Sequence, residues 1–372
     1  MNTQIARDLG LEFPIFAFTH CRDVAAAVSK AGGLGVLGVA GHSAKALAVE
    51  LDWIENEVGD KPYGVDLLMP ARFAGSDRGG FDESQLDERI PAEHKEFLDD
   101  LLQRYDVPKL AENTTLPREF AVGAERQREV IDLVFSRNIS LIASALGPPP
   151  SWMIERGQEQ GVKVAALAGT VEHARRHAEA GVDLIVAQGY EAGGHTGTVS
   201  TLVLVPEVVD AVDPIPVLAA GGIGNGRQVA ASLALGAQGV WCGSVWLTTE
   251  EAETDPVVKE KFLKATSSDT VRSRSLTGKP ARQLRSAWTE AWEDPSNPDP
   301  LPMPLQPRLI REAQARINRT AHKNPGAEEL ANYFVGQIVG SLNQVKSVRS
   351  VVEELVQEYA DTMERLDDWA EG

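Results

Sequence analysis

The feature that most constrains this chain is a repeat: a short run of apolar, often β-branched residues, followed by a helix-spaced segment, about eight times over. The runs lie at 14–18 (PIFAF), 34–37, Tyr63–Leu68, 139–143, Lys163–Ala168, 184–187, 216–219 and Gly239–Cys242. Each is four to six residues long, the length of a strand buried on both faces. Between them, 22–31, Ala44–Val58, 124–136, Ser151–Gln160, Val171–Ala180, Thr201–Val212 and 227–235 predict helices. Ser151 offers an N-cap after Pro148-Pro149-Pro150, Gly181 ends a helix, and Pro206 interrupts one.

Strands alternating with helices build a parallel sheet, which either closes or stays open and doubly wound. The glycines favour closure. They follow the second, sixth, seventh and eighth strands, whereas an open dinucleotide-binding sheet concentrates them after its first. The expected fold is an α/β (β/α)8 TIM barrel with an insertion after strand 3 and a helical C-terminal extension.

Two regions break the repeat. Residues 69–123 are charged and separate the third strand from its helix, with 92–105 predicted helical inside them. Their place after a strand end puts them on the active-site face, where they read as a mobile lid. After about residue 248 helices replace strands: 295–307 is a Pro-rich linker and 330–369 a pair of helical segments. The expected division is a barrel over 1–250 and an extension over 251–372 that packs on the barrel, crossing its top or making a homodimer contact.

With 54 acidic and 36 basic residues, the net charge of −18 disfavours DNA, RNA and anionic membranes as partners. A single pocket can still hold an anion on a helix N-terminus. Cys21 and Cys242 form no CxxC pair, so no thiolate metal site is expected. Two free thiols in a cytoplasmic protein are the simplest reading. The first residues lack a basic segment followed by an apolar run, and no apolar stretch approaches about 20 residues, so neither a signal peptide nor a membrane span is expected.

Chemistry concentrates at the ends of the last strands. Gly221-Gly222 and Trp241-Cys242-Gly243-Ser244 end the seventh and eighth, the place where barrels often bind phosphate. Glycine lets amides reach phosphate oxygens with no Cβ in the way. Either turn alone reads equally well as a tight turn. The segment 187–197, AQGYEAGGHTG, holds four glycines in nine residues. Gln188 there offers a donor and an acceptor to a heteroaromatic edge. His195, flanked by small residues, is expected to be accessible, to titrate near neutral pH and to serve as general acid or base. His20-Cys21 has the residue types of a nucleophilic pair, but neighbours on a strand end point apart, so no catalytic role is expected.

AQGYEAGGHTG resembles the signature of the nitronate monooxygenase family, once called 2-nitropropane dioxygenases. So do 25–38 (AAAVSKAGGLGVLG), 169–189, 216–244 and, more weakly, TGKPAR at 277–282 and YFVGQIVG at 333–340. The resemblance implies a barrel oxidoreductase with FMN bound non-covalently at the barrel mouth. Gln188 and Gly193 match flavin-contacting positions, with Gly194 beside them. Gly222, with Gly221, and Trp241, Cys242, Gly243 and Ser244 match the phosphate turns. His195 matches the catalytic histidine. The implied substrate is a small nitronate or related anion, with O2 as oxidant.

This chain also departs from the family pattern. Ala17-Phe18-Thr19-His20-Cys21 stands where the family has Ala/Gly-Pro-Met, which puts Phe18 against the flavin. Asp66 stands where an Asn is common at the end of the third strand. An anion there would oppose flavin reduction unless it is protonated or turned to a backbone amide. Three functions stay open: oxidation of alkyl nitronates, with His195 as base; NAD(P)H-dependent flavin reduction of quinones or enoyl thioesters; and a non-catalytic barrel that binds a phosphate ligand.

Overall fold

A computed structural model describes residues 1–69, 83–111, 114, 116 and 124–371. Eight parallel strands close into a barrel: β1 (Ile15–Thr19), β2 (Leu34–Gly38), β3 (Tyr63–Leu68), β4 (Leu141–Ala145), β5 (Lys163–Ala168), β6 (Leu184–Gln188), β8 (Val217–Ala220) and β9 (Gly239–Cys242). Phe16 of β1 pairs with Trp241 of β9 and closes the ring. The expected TIM barrel is therefore present, with each strand within two residues of its place in the sequence reading.

Alternation explains the strand sequences. Phe16, Leu34, Val36, Leu141, Ala143, Ala165, Leu184, Val186, Leu218, Ala220 and Trp241 fill the barrel interior. The residues between them, such as Ala17, Val65, Ile142, Val164 and Val240, pack outward against the helices. Both faces are apolar, so the runs read as continuous rather than alternating. The N-terminal helix Gln4–Asp8 closes the lower end, where Ile5 joins the interior cluster.

Caps match the sequence at several helix ends. The Thr170 hydroxyl accepts the His173 amide, and Asn225 and Gln228 form a reciprocal capping box at the start of Gly226–Ala234. Helix Ser151–Gln160 differs: Pro150, not Ser151, holds its N-cap position.

The region after the barrel is not only helical. It contains β10 (Thr270–Ser273) and β11 (Ala281–Leu284), antiparallel to each other, and β11 also pairs with β7 (Gly194–His195) from the glycine-rich loop. Residues 330–369 are not a helical pair either. A short 3-10 turn at Gln337–Ser341 precedes one long helix, Val348–Glu371. That helix packs on Gly226–Ala234, and its Glu358 carboxylate accepts the Gly226 amide at 2.9 Å.

A second apolar core joins the two irregular regions. Phe97, Leu98, Leu101 and Leu102 form one face of helix Ala92–Arg104 and pack with Phe262, Trp288, Trp292, Ile310, Ile317 and Leu330. Burying each such side chain contributes on the order of 2 kcal/mol. This part of the insertion is an anchored structural element, which corrects the expectation of a mobile lid. The remainder of the expected lid, 70–82 with most of 112–123, lies outside the described residues. Among the described residues no helix is long and apolar enough to cross a membrane.

Candidate active site

The barrel mouth has a side built from backbone. After β8, Gly221 (φ +101°) and Gly222 (φ +71°) turn consecutively through the left-handed region. A Cβ on Gly222 would meet nothing closer than 3.5 Å, and one on Gly243 nothing closer than 3.8 Å, so the space above both turns is open. Neither amide finds an acceptor among the described residues. Two free amides at open glycine turns on adjacent strands suit a phosphate.

The neighbouring side chains divide differently from the sequence reading. Trp241 lies in the barrel interior, stacked 6.3 Å from Phe16 and 6.4 Å from Phe18, and forms floor rather than turn. Cys242 belongs to the layer facing the helices, where burial pushes its thiol up to about 12. Only its backbone is near the turn. The Ser244 hydroxyl accepts the Gly336 amide at 2.8 Å and keeps its own hydrogen to donate. Gln188 ends β6, half-buried, with no side-chain partner among the described residues. Its free amide and the two free glycine donors fit the edge and the phosphate of a flavin.

The loop 189–197 is held by contacts with several distant segments. The Glu191 carboxylate accepts the Thr201 amide at 2.9 Å, and the Gln337 amide donates to the Glu191 carbonyl at 2.9 Å. Buried Arg282 donates to the Tyr190 carbonyl at 3.0 Å and lies 4.3 Å from the Tyr190 ring, while Arg272 reaches the Thr196 carbonyl at 2.9 Å. A Cβ on Gly193 would lie 2.8 Å from the Gly336 amide nitrogen. Glycine at 193 therefore permits backbone to pack on backbone, and the segment after Val335 straps the loop down.

His195 sits in β7, paired with Ala281. Its Nε2 lies 2.9 Å from the Thr277 hydroxyl, and its ring is 6.3 Å from that of Phe334. Among the described residues Nδ1 has no partner. Burial, aided by the Lys279 charge, lowers its pKa to about 4. The expectation of a histidine titrating near neutrality is thus overturned, while the ring stays half-buried rather than enclosed. Its sequence neighbours are small, but Thr277, Lys279 and Phe334 arrive from distant segments and pack around it. At neutral pH the ring is an uncharged base.

Asp66 alternates with the outward-facing Val65 and Leu67, so its side chain turns into the barrel. It is 5% exposed, and its Oδ2 has no partner among the described residues. Burial raises its pKa well above the carboxylate range. The site favours a neutral carboxylic acid, the protonated state that the departure from Asn left open. Phe18 stands at the same mouth, edge-on to His20 at 5.2 Å. His20 Nδ1 lies 2.9 Å from the Gly38 carbonyl, and Cys21 Sγ donates to the Glu251 carbonyl. Each has its own backbone partner, so no nucleophilic pair forms.

Thr277, Lys279, Phe334 and Gly336 were not named as site residues from sequence. The available signal was their place in TGKPAR and YFVGQIVG, the two weaker matching segments.

Comparison with known proteins identifies the family. The family model described as nitronate monooxygenase matches residues 12–358. A Mycobacterium tuberculosis protein provisionally named a monooxygenase is 61% identical over 370 residues, 98% of each chain. A Staphylococcus saprophyticus protein named a probable nitronate monooxygenase is 30% identical over 98% of this chain and 99% of its own. Among solved structures, nitroalkane oxidase from Streptomyces ansochromogenes aligns with a TM-score of 0.79 at 26% identity, covering 96% of this chain and 99% of that one. FabK from Thermotoga maritima aligns at 0.74 and 27% identity, covering 99% of both.

Proposed function

The chain belongs to the nitronate monooxygenase family and is a flavin-dependent oxidoreductase, and on that premise we propose that it oxidises alkyl nitronates with O2 at a bound FMN, with His195 as base. The observation that carries this reading is an uncharged imidazole with a free Nδ1, at the same barrel mouth as two open glycine turns. The flavin, when bound, takes two electrons from the substrate and passes them to dioxygen.

The residues divide the remaining work. The Gly222 and Gly243 amides bind the cofactor phosphate, and Gln188 meets the edge of its ring. Asp66, as a neutral acid, adds no negative charge beside the ring. With a neutral nitroalkane, His195 Nδ1 takes the α-proton, and the C–H electron pair moves into the nitro group to give the nitronate. With a nitronate already formed, that proton is absent and the same ring only positions the anion. The Lys279 charge offsets the negative charge that develops on the nitro oxygens.

Anaerobic stopped-flow tests the reading. The purified flavoprotein is expected to bleach on mixing with alkyl nitronate, and admitting O2 restores the oxidised spectrum. Bleaching by NADPH with none by nitronate would transfer the assignment to the reductase reading. A protein that neither carries nor takes up FMN would remove both.

A further inference from the structure

We propose that Thr277 is the positioning residue that sets the tautomer of His195, keeping the proton on Nε2 and leaving Nδ1 bare to accept one. The inference rests on the reading of His195 as base but concerns a different residue and a different observable.

A threonine hydroxyl has one hydrogen and accepts through its lone pairs. Thr277 Oγ1 lies 3.1 Å from the Lys279 carbonyl, which accepts whatever the histidine tautomer, and in the proposed arrangement the hydroxyl hydrogen goes there. The Lys279 amide donates back to the same oxygen at 3.3 Å. The third neighbour, His195 Nε2 at 2.9 Å, then meets an oxygen whose hydrogen is engaged, and in that arrangement is itself the donor. A neutral imidazole carries one N–H, so Nδ1 holds the free lone pair.

The turn that carries Thr277 is locked in place. Gly278 sits at φ +79°, and a Cβ there would lie 2.1 Å from the Leu301 carbonyl oxygen and 2.6 Å from the Met303 amide nitrogen. The Gly278 amide is bonded to the Arg274 carbonyl at 2.8 Å. Thr277 is thus backed by main chain, and β11, which starts just beyond it, pairs with β7 through Ala281 and His195. One hairpin holds both the histidine backbone and its Nε2.

The charged groups near the ring keep it neutral without competing for it. Lys279, on the same hairpin, disfavours the imidazolium. On β10 and β11, Arg272 and Arg282 are engaged with the loop carbonyls of Thr196 and Tyr190. The Glu191 carboxylate is bonded to Thr201. The covering segment presents Phe334, which carries no charge. Thr277 is therefore the group that decides which nitrogen is bare.

The test is long-range 1H–15N spectroscopy of holoenzyme labelled at its histidine nitrogens, with His195 identified by the signal missing in His195→Asn. Wild type is expected to show His195 as the Nε2–H tautomer. Thr277→Val, which keeps the shape and removes the acceptor, is expected to give a mixture of tautomers at unchanged flavin content. Turnover of neutral nitroalkane should fall about 10- to 100-fold, the range seen when a histidine loses its orienting partner, and pre-formed nitronate should be less affected. Thr277→Ser restores both. An Nδ1–H tautomer in wild type overturns the proposal without any variant, and so does an unchanged tautomer in Thr277→Val. If the tautomer responds as expected while His195→Asn still turns over nitroalkane at the wild-type rate, the base reading fails and the positioning by Thr277 stands.

Discussion

The two halves of the barrel mouth are made of different material. The turns at Gly221-Gly222 and Gly243 offer amides, open space and positive φ, all supplied within a few residues of a strand end. The half around His195 offers side chains drawn from 195, 277, 279 and 334, brought together by a three-stranded sheet and a strap. The first half tolerates any distant change that leaves β8 and β9 in place, but no charge or Cβ at the turn itself. The second half depends on the docking of the whole C-terminal region. Binding and chemistry are therefore separable by mutation.

The largest effect belongs to the backbone half. Gly222→Asp forces a side chain into a φ of +71° and sets a carboxylate where the phosphate is proposed to lie. Flavin retention is expected to vanish, read as the absorbance ratio of the purified protein. Full flavin content would place the phosphate elsewhere.

A smaller effect belongs to the barrel interior between them. Burial disfavours the Asp66 carboxylate, so its folded-state pKa is raised. The unfolded chain then binds fewer protons than the folded one, and stability falls as pH rises from about 4 towards the folded value, at up to about 1.4 kcal/mol per unit. Asp66→Asn removes that cost and keeps the shape. It should raise the melting temperature at pH 7, with the gain disappearing near pH 4. A variant melting below wild type at pH 7 would mean that the carboxyl makes a bond that the amide cannot.

The same division explains what could be read in advance. The barrel strands were legible because their signal is local: apolar runs of four to six residues, several of them ended by glycines. The turns at Gly222 and Gly243 were legible for the same reason. β10 and β11 were not, since TVRS and ARQL are short and half polar, and their pairing partner is a two-residue strand inside a glycine loop. The glycines around His195 read as openness. Gly193 instead permits the close approach of Gly336, while Gly194 faces open space and the ring is left half-buried. Helix Ala92–Arg104 was visible as a helix, but its partners Trp288, Trp292 and Leu330 lie too far along the chain for any periodicity to announce them. Deleting 76–118 would remove this helix and open the second core, so it is no neutral test of a lid.

Proton removal by His195 is read in kcat/KM of His195→Asn on a neutral nitroalkane and on its pre-formed nitronate, each across pH. A loss of roughly 10²- to 10⁴-fold is expected on the nitroalkane, the usual share of a general base, and a much smaller loss on the nitronate, at unchanged flavin content. Because the folded pKa is lowered to about 4, the wild-type nitroalkane profile should stay flat on its acid side until the pH falls towards that value. The variant should lack that limb. Equal losses on both substrates would overturn the role as base and leave His195 as a binder of the anion; no loss on either would remove it from the chemistry.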